Sequence, residues 1–308
     1  MSEPNLDPAP QQPAQPPQPA RTDSSASSAR RGTVRSIHYT LSYLAQNSER
    51  GPQGAIVLLH DLPGGAFAWE GVLPALAGTG RAVYAFDMLG YGQSAHPWPS
   101  DTSNWGHADC LQYAFEALKL RDVTLVGAGL GGAVAQTLAT RLYRDKVARL
   151  VLINSYLYNT AFAPNWPLTE MAKRQDPEAP HHTKPEDLLA DLRATLPSGA
   201  AKALPGARLD AYTNEWQGKV GMEMLFQHVR LMRPDYVNSV STDVELWPKP
   251  ILLLWSEQDG VTPLSLGQRL AAANPNARLE VLRGAGHLAL DDAPGAVAQL
   301  VSDFVSRA

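Results

Sequence analysis

The sequence predicts an α/β protein: a mostly parallel central sheet flanked by helices, with an inserted helical cap. Three observations carry this. Short, fully apolar runs such as Ala55–Leu59 and Ile251–Trp255 alternate with helix-like stretches, the pattern of strands covered on both faces. The stretch Val123–Thr140, VTLVGAGLGGAVAQTLAT, reads as strand, tight glycine turn and helix. The residues with reactive side chains fall just past predicted strands, the edge where parallel sheets place their working groups.

The chain has 308 residues, of which 44% are hydrophobic and 18% charged, enough for one large domain with a self-sufficient core. The net charge is −4 and no Lys/Arg run stands out, which argues against a nucleic-acid partner. The single cysteine, Cys110, excludes an internal disulfide and reads as a small helix-face residue. No stretch is long and apolar enough for a bilayer. Residues 1–31 are rich in Pro, Gln and Ala and lack the apolar core of a secretory signal. They read as a disordered tail, with a Pro-rich docking peptide as the alternative. A cytoplasmic protein is the expectation.

Taken in order, Val34–Ile37 and Tyr39–Ala45 predict an edge hairpin, and Ala55–Leu59 a central strand ending in His60-Asp61-Leu62-Pro63-Gly64-Gly65. Trp69–Ala77 is a short helix. Ala82–Phe86 is a strand ending at Asp87, before the loop to Ser94. Asn104–Lys119 is a helix capped by Ser103 or Asn104. Val123–Val126, the glycine turn and the helix Ala133–Leu142 follow, then the strand Ala148–Ile153. Strands stop over 157–246, where Pro185–Ala194 and Leu209–Met232 predict helices of the cap. The alternation resumes with Ile251–Trp255, Leu264–Ala272, Leu279–Leu282 and Ala293–Val305. The expected division is therefore a tail at 1–31, a core at 32–156, a cap at 157–246 and the rest of the core at 247–308.

Five motifs in this order resemble the α/β-hydrolase superfamily. They are His60-Asp61-x-Pro63-Gly64, Asp87-x-x-Gly90-x-Gly92-x-Ser94, the elbow glycines 127, 131 and 132, Trp255-Ser256-x-x-Asp259-x-x-x-Pro263, and Gly284-x-Gly286-His287. The helical insertion points to the branch with haloalkane dehalogenases, epoxide hydrolases, C–C hydrolases and small esterases. The resemblance implies that Asp259 is the acid and His287 the histidine of a catalytic triad, and that the backbone N–H groups of Leu62 and Leu130 form the oxyanion hole. It also implies a structural Ser94 and a structural His60. Asp61 stands where glycine is commoner, and holding its own loop is its first expected role, facing the pocket its second.

The departure lies at the elbow, where Gly129 occupies the nucleophile's position. Glycine adopts the strained turn easily but carries no attacking atom. The expected function is thus non-covalent general-base chemistry by an Asp259–His287 dyad: lyase, cyclase, isomerase or direct hydrolysis, without cofactor or metal. The expected substrate is a small, largely apolar molecule with a carbonyl. Trp166 and Trp216 are candidate pocket walls, although aromatic residues at helical spacing usually pack. Three other readings compete: a non-catalytic receptor, a serine hydrolase altered at 129, and a dinucleotide protein using Gly127-x-Gly129-x-x-Gly132. The last lacks an acidic residue after the following strand, which ends Ile153-Asn154-Ser155. The pair His181-His182 has no carboxylate at ligand spacing and reads as solvent-facing.

Overall fold

The computed structural model describes residues 29–158, 189–190, 192–194, 196–232 and 234–307. Its sheet has eight strands in the order β1-β2-β4-β3-β5-β6-β7-β8. These are β1 Arg30–Arg35, β2 Thr40–Gln46, β3 Ile56–Leu59, β4 Val83–Phe86, β5 Val123–Ala128, β6 Val147–Ile153, β7 Ile251–Ser256 and β8 Ala277–Leu282. The β1–β2 and β2–β4 pairs are antiparallel and the rest are parallel.

The central strands are buried on both faces, which is why they read as unbroken apolar runs. Successive side chains point to opposite sides. Val57, Leu59 and Leu125 join one core layer, whereas Ile56, Leu58 and Val126 join the other. Helices α1 (Leu73–Ala77) and α9 (Pro294–Ser306) pack against the second layer. Helices α2 (Asn104–Ala117) and α3 (Gly129–Thr137) pack against the first. Ser103 caps α2, its hydroxyl accepting from the Gly106 amide at 3.2 Å. Further helices among the described residues are α4 (Gly206–Thr213), α5 (Gly218–Leu231) and α6 (Pro234–Glu245) between β6 and β7, α7 (Leu264–Ala273) before β8, and α8 (Ala289–Asp292) before α9.

Several local expectations shift. Arg30 and Arg31 pair with Ala45 and Leu44, so the ordered sheet begins inside the segment read as tail. Arg31 reaches Asp87 at 2.7 Å, which ties that edge to the loop after β4. The stretch Leu209–Met232 is two helices, split by a tight turn at Asn214–Trp216 and by Gly218 at φ 70°. Its hydrophobic spacing continues through that break, so periodicity alone joins the pieces. Helix α3 starts at Gly129 itself, four residues earlier than predicted. Trp166, the pair His181-His182 and half of Pro185–Ala194 lie outside the described residues, as does the tail up to residue 28.

The glycines let α3 enter hard against the sheet. A Cβ on Gly131 would stand 2.2 Å from the Leu59 carbonyl oxygen. That oxygen is backbone of a central strand and cannot yield cheaply. Gly131→Ala is therefore expected to destabilise the fold by about 1–3 kcal/mol or more, read as a lower urea midpoint with an unchanged slope. A variant as stable as the parent would mean that β3 and α3 are less tightly apposed than described.

Candidate active site

The loop after β3 is fixed first. His60 is fully buried, and its Nδ1–H donates to the Asp61 carbonyl at 2.9 Å. Its Nε2 accepts from the Met88 amide at 3.1 Å. Burial lowers its pKa, so the ring is a neutral tie between the loops after β3 and β4. This is the structural role that the resemblance implied.

The side chain of Asp61 then turns into the sheet's working edge. Its Oδ1 accepts from the Leu62 amide at 2.8 Å and the Leu130 amide at 2.7 Å. Its Oδ2 meets His287 Nε2 at 3.0 Å. Two expectations change here. Asp61 does hold its own loop, but the same carboxylate faces the pocket. The amides of Leu62 and Leu130 do converge, but the oxygen they bind is Asp61's own. The N-terminal end of α3 favours negative charge there, beyond the two hydrogen bonds.

Gly129 explains how this is possible. It sits at φ 47°, the left-handed region in which an L side chain is strained. A Cβ at 129 would lie 2.0 Å from Asp61 Cγ. The Asp61 carboxylate thus occupies the volume of an elbow side chain, and the two cannot coexist in this arrangement.

On the far side, His287 Nδ1 meets Asp259 Oδ2 at 2.9 Å. Asp259 Oδ1 accepts from the amides of Val261 at 2.7 Å and Thr262 at 2.9 Å, and its Oδ2 accepts from the Thr262 hydroxyl at 2.6 Å. The imidazole is therefore held between two carboxylates. Burial opposes its charge, but the charge and hydrogen bond of Asp259, and then those of Asp61, push its pKa up to about 10. Burial likewise opposes ionisation of Asp259, and the imidazolium and its hydrogen bonds outweigh this and lower that pKa.

Residues that the sequence reading passed over hold this row in place. Asn154 donates from Nδ2 to the carbonyls of Gly286 and His287, both at 3.0 Å, and accepts at Oδ1 from the Ser256 amide at 2.8 Å. Asp292 accepts from the Gly286 amide at 2.8 Å. Tyr156 lies under the row, its ring centroid 6.3 Å from that of His287. Its hydroxyl is buried and interacts with the Asp61 carboxylate. Burial, then the charges of Asp61 and Asp259, raise its pKa well above the usual phenol value. No motif marks these three. The only signal was that Asn154 and Tyr156 directly follow a central strand.

Above Asp61 lies a mainly apolar pocket lined by Leu62, Ala68, Ala128, Ile153, Leu288 and Leu290, with Tyr212 at its edge. The Tyr212 hydroxyl donates to Asp291 at 2.6 Å. Trp216 is not part of this wall. Its indole N–H donates to the Tyr212 carbonyl at 3.1 Å and its ring packs on Tyr91 and His228. Ser94 is bound up with backbone, donating to the Asp87 carbonyl and accepting from the Ser42 amide. Among the described residues no cluster of His, Cys, Asp and Glu could hold a metal ion. No helix there is long and apolar enough to cross a membrane.

A family model described as the alpha/beta hydrolase fold matches residues 54–294. The chain belongs to that family. It is 27% identical over 270 residues to a 2-hydroxymuconate semialdehyde hydrolase of Pseudomonas sp. strain CF600, covering 82% of this chain and 87% of the relative. It is 26% identical over 283 residues to a haloalkane dehalogenase of Mycobacterium marinum, covering 86% and 88%. The fold superposes on an alpha/beta hydrolase fold protein of Burkholderia ambifaria with a TM-score of 0.78 at 24% identity, over 88% of this chain and 97% of that one. A haloalkane dehalogenase structure from Agrobacterium tumefaciens C58 gives 0.78 at 22% identity, over 91% and 97%.

The imidazolium has a consequence for stability. His287 has a folded pKa of about 10 against an ordinary 6.5. Its stabilisation is complete below pH 6.5 and is lost as pH rises through 10. Wild-type melting temperature minus that of His287→Gln is expected to shrink between these limits. A difference that stays flat over that range would show that the folded imidazole is neutral at pH 7.

Proposed function

We propose that the protein is a hydrolase in which Asp61, not a residue at 129, is the attacking group. The observation that carries this is the overlap of the Asp61 carboxylate with the space of an elbow side chain. One oxygen is held by two amides, and the other faces His287. A carboxylate so held can displace a leaving group from a saturated carbon. In the first step Asp61 Oδ2 forms a bond to the substrate carbon, the carbon–leaving-group bond breaks, and the leaving group takes the electron pair. The product is an ester on Asp61.

Ester formation removes the Asp61 charge that helps hold the proton on His287. Its pKa then falls and the proton passes to solvent or leaving group. The neutral imidazole, oriented by Asp259, takes a proton from water as that water attacks Cγ of the ester. The charge that develops on Oδ1 is met by the Leu62 and Leu130 amides. On collapse the bond from Cγ to the ester oxygen breaks, the departing alkoxide takes the proton from the imidazolium to give the alcohol, and the new acid returns a proton to the imidazole, restoring the Asp61 carboxylate.

This reading fits a small haloalkane or epoxide better than the carbonyl compound expected from Gly129 alone. With both amides engaged by Asp61, a substrate carbonyl has no hole for its oxyanion. The apolar lining suits an alkyl chain. The likeness to a haloalkane dehalogenase supports the same class. The geometry also argues against a serine hydrolase altered at 129, since a serine there would collide with Asp61. A dinucleotide fares no better, because a carboxylate already sits where its pyrophosphate would bind.

The test is isotopic. A single turnover of a chloroalkane or alkyl epoxide in ¹⁸O water is expected to place label in the peptide carrying Asp61. Label in the alcohol alone would instead favour direct, non-covalent hydrolysis by the Asp259–His287 dyad. Asp61→Asn is expected to lower turnover by roughly three orders of magnitude or more. Moving the group back, with Asp61→Gly and Gly129→Asp together, is expected to recover part of that loss. Each exchange alone should fail, Gly129→Asp by crowding Asp61.

A further inference from the structure

Five buried side chains meet beside the catalytic row and leave their polar atoms unused. Tyr91, Thr102, Asn104, His107 and His228 are each at most 1% exposed. The Tyr91 and Thr102 hydroxyls, both amide atoms of Asn104, both ring nitrogens of His107 and Nδ1 of His228 have no hydrogen-bond partner among the described residues. Buried polar groups are normally satisfied, so this concentration marks a place built for something else to bind.

The five belong to one locus. The rings of Tyr91 and His228 are 4.2 Å apart, those of Tyr91 and His107 are 5.8 Å apart, and those of His107 and His228 are 5.9 Å apart. Gly90 brings His228 and Thr102 to the same spot, since a Cβ there would be 2.7 Å from the His228 ring, which packs directly on this glycine, and 3.8 Å from Thr102. Asn104 lies three residues before His107, on the same face of α2. Tyr91 also packs edge-on against His60 at 4.8 Å, one residue from Asp61. The locus thus adjoins the reacting carboxylate, between the core and α5.

We propose that this locus is a polar subsite that receives an uncharged hydroxyl- or amide-bearing end of the substrate, while its alkyl part lies against Leu62 and Ile153. The assignment rests on the Asp61 reading only for the other end of the molecule. The unused atoms are both donors and acceptors, as a hydroxyl or amide requires. Burial, then His60, lowers the pKa of His107 to about 3, and burial holds that of His228 well below its usual value. Both imidazoles are therefore neutral. The His228 Nε2–H is directed at the Gly90 carbonyl at 3.3 Å, which leaves Nδ1 as the acceptor. The carboxyl nearest the locus is Glu215, which accepts from the Gly92 amide at 2.7 Å. Burial pushes its pKa up to about 8, so it is mostly protonated at neutral pH, and the Asp61 charge also acts on Tyr91, which disfavours an anion.

The experiment uses binding, so it does not depend on turnover. Chlorohexane and its ω-hydroxy analogue are titrated into Asp61→Asn, which forms no ester. The hydroxy compound is expected to bind at least about fivefold more tightly. Adding Asn104→Leu and His107→Leu should abolish that preference. The isosteric Thr102→Val should reduce it even where the double exchange fails to fold. Equal binding of the two probes, or a preference that survives both sets of changes, would overturn the subsite and leave the Asp61 reading standing. A clear preference in a protein that never carries label on Asp61 would support the subsite and remove the nucleophile.

Discussion

Two side chains cannot share one place, and the active edge of this molecule is organised by that exclusion. The approach of 2.0 Å between a Cβ at 129 and Asp61 Cγ means that the bare elbow and the carboxylate on the neighbouring loop form one unit. Taken alone, Gly129 reads as a deletion. Taken alone, Asp61 reads as an odd loop residue. Together they place a carboxylate against the Leu62 and Leu130 amides and the His287 imidazole, in the space an elbow side chain would fill.

That arrangement needs rigid support, because Asp61 hangs from a loop and not from the head of a helix. The support is a set of buried ties. His60 fixes the loop against the strand next door through the Met88 amide. Asn154 and Asp292 fix the backbone on which His287 is carried. Thr262 and Val261 fix Asp259. The His60 and Asn154 ties cross between the ends of different strands, and the Asp259 and Asp292 ties stiffen the loops after β7 and β8, so the parallel sheet sets the spacing of the row.

Most of the sheet was legible because its strands are covered on both faces and leave unbroken apolar runs. The strand ends followed from that, and His287 and Asp259 were picked out at them by the motifs that resemble the α/β-hydrolase superfamily. The break at Asn214–Trp216 was hidden because the apolar spacing of α4 runs on into α5. The role of Asp61 was hidden for a different reason. Whether a loop carboxylate turns outward or inward depends on a vacancy 68 residues further along the chain, at Gly129, and no local pattern records such a pairing. Asn154, Tyr156 and the polar locus around His107 depend equally on contacts between distant segments.

The row of two carboxylates and one imidazole also constrains the chemistry. A neutral imidazole between two anions would leave a net charge of two buried beneath an apolar pocket, which is costly. Protonating His287 halves it, and this is the sense in which its pKa is raised to about 10. A resting imidazolium is a poor base, so a mechanism that begins with proton abstraction by His287 works against the electrostatics of the site. A mechanism that first consumes the charge on Asp61 works with them. Esterified Asp61 no longer stabilises the imidazolium, and the base is freed at the step where water must be activated. In the proposed mechanism the order of events, attack by the carboxylate first and proton abstraction second, follows from which of the two anions can be neutralised by a covalent bond. Asp259, held by Val261 and Thr262 and turned away from the pocket, cannot be.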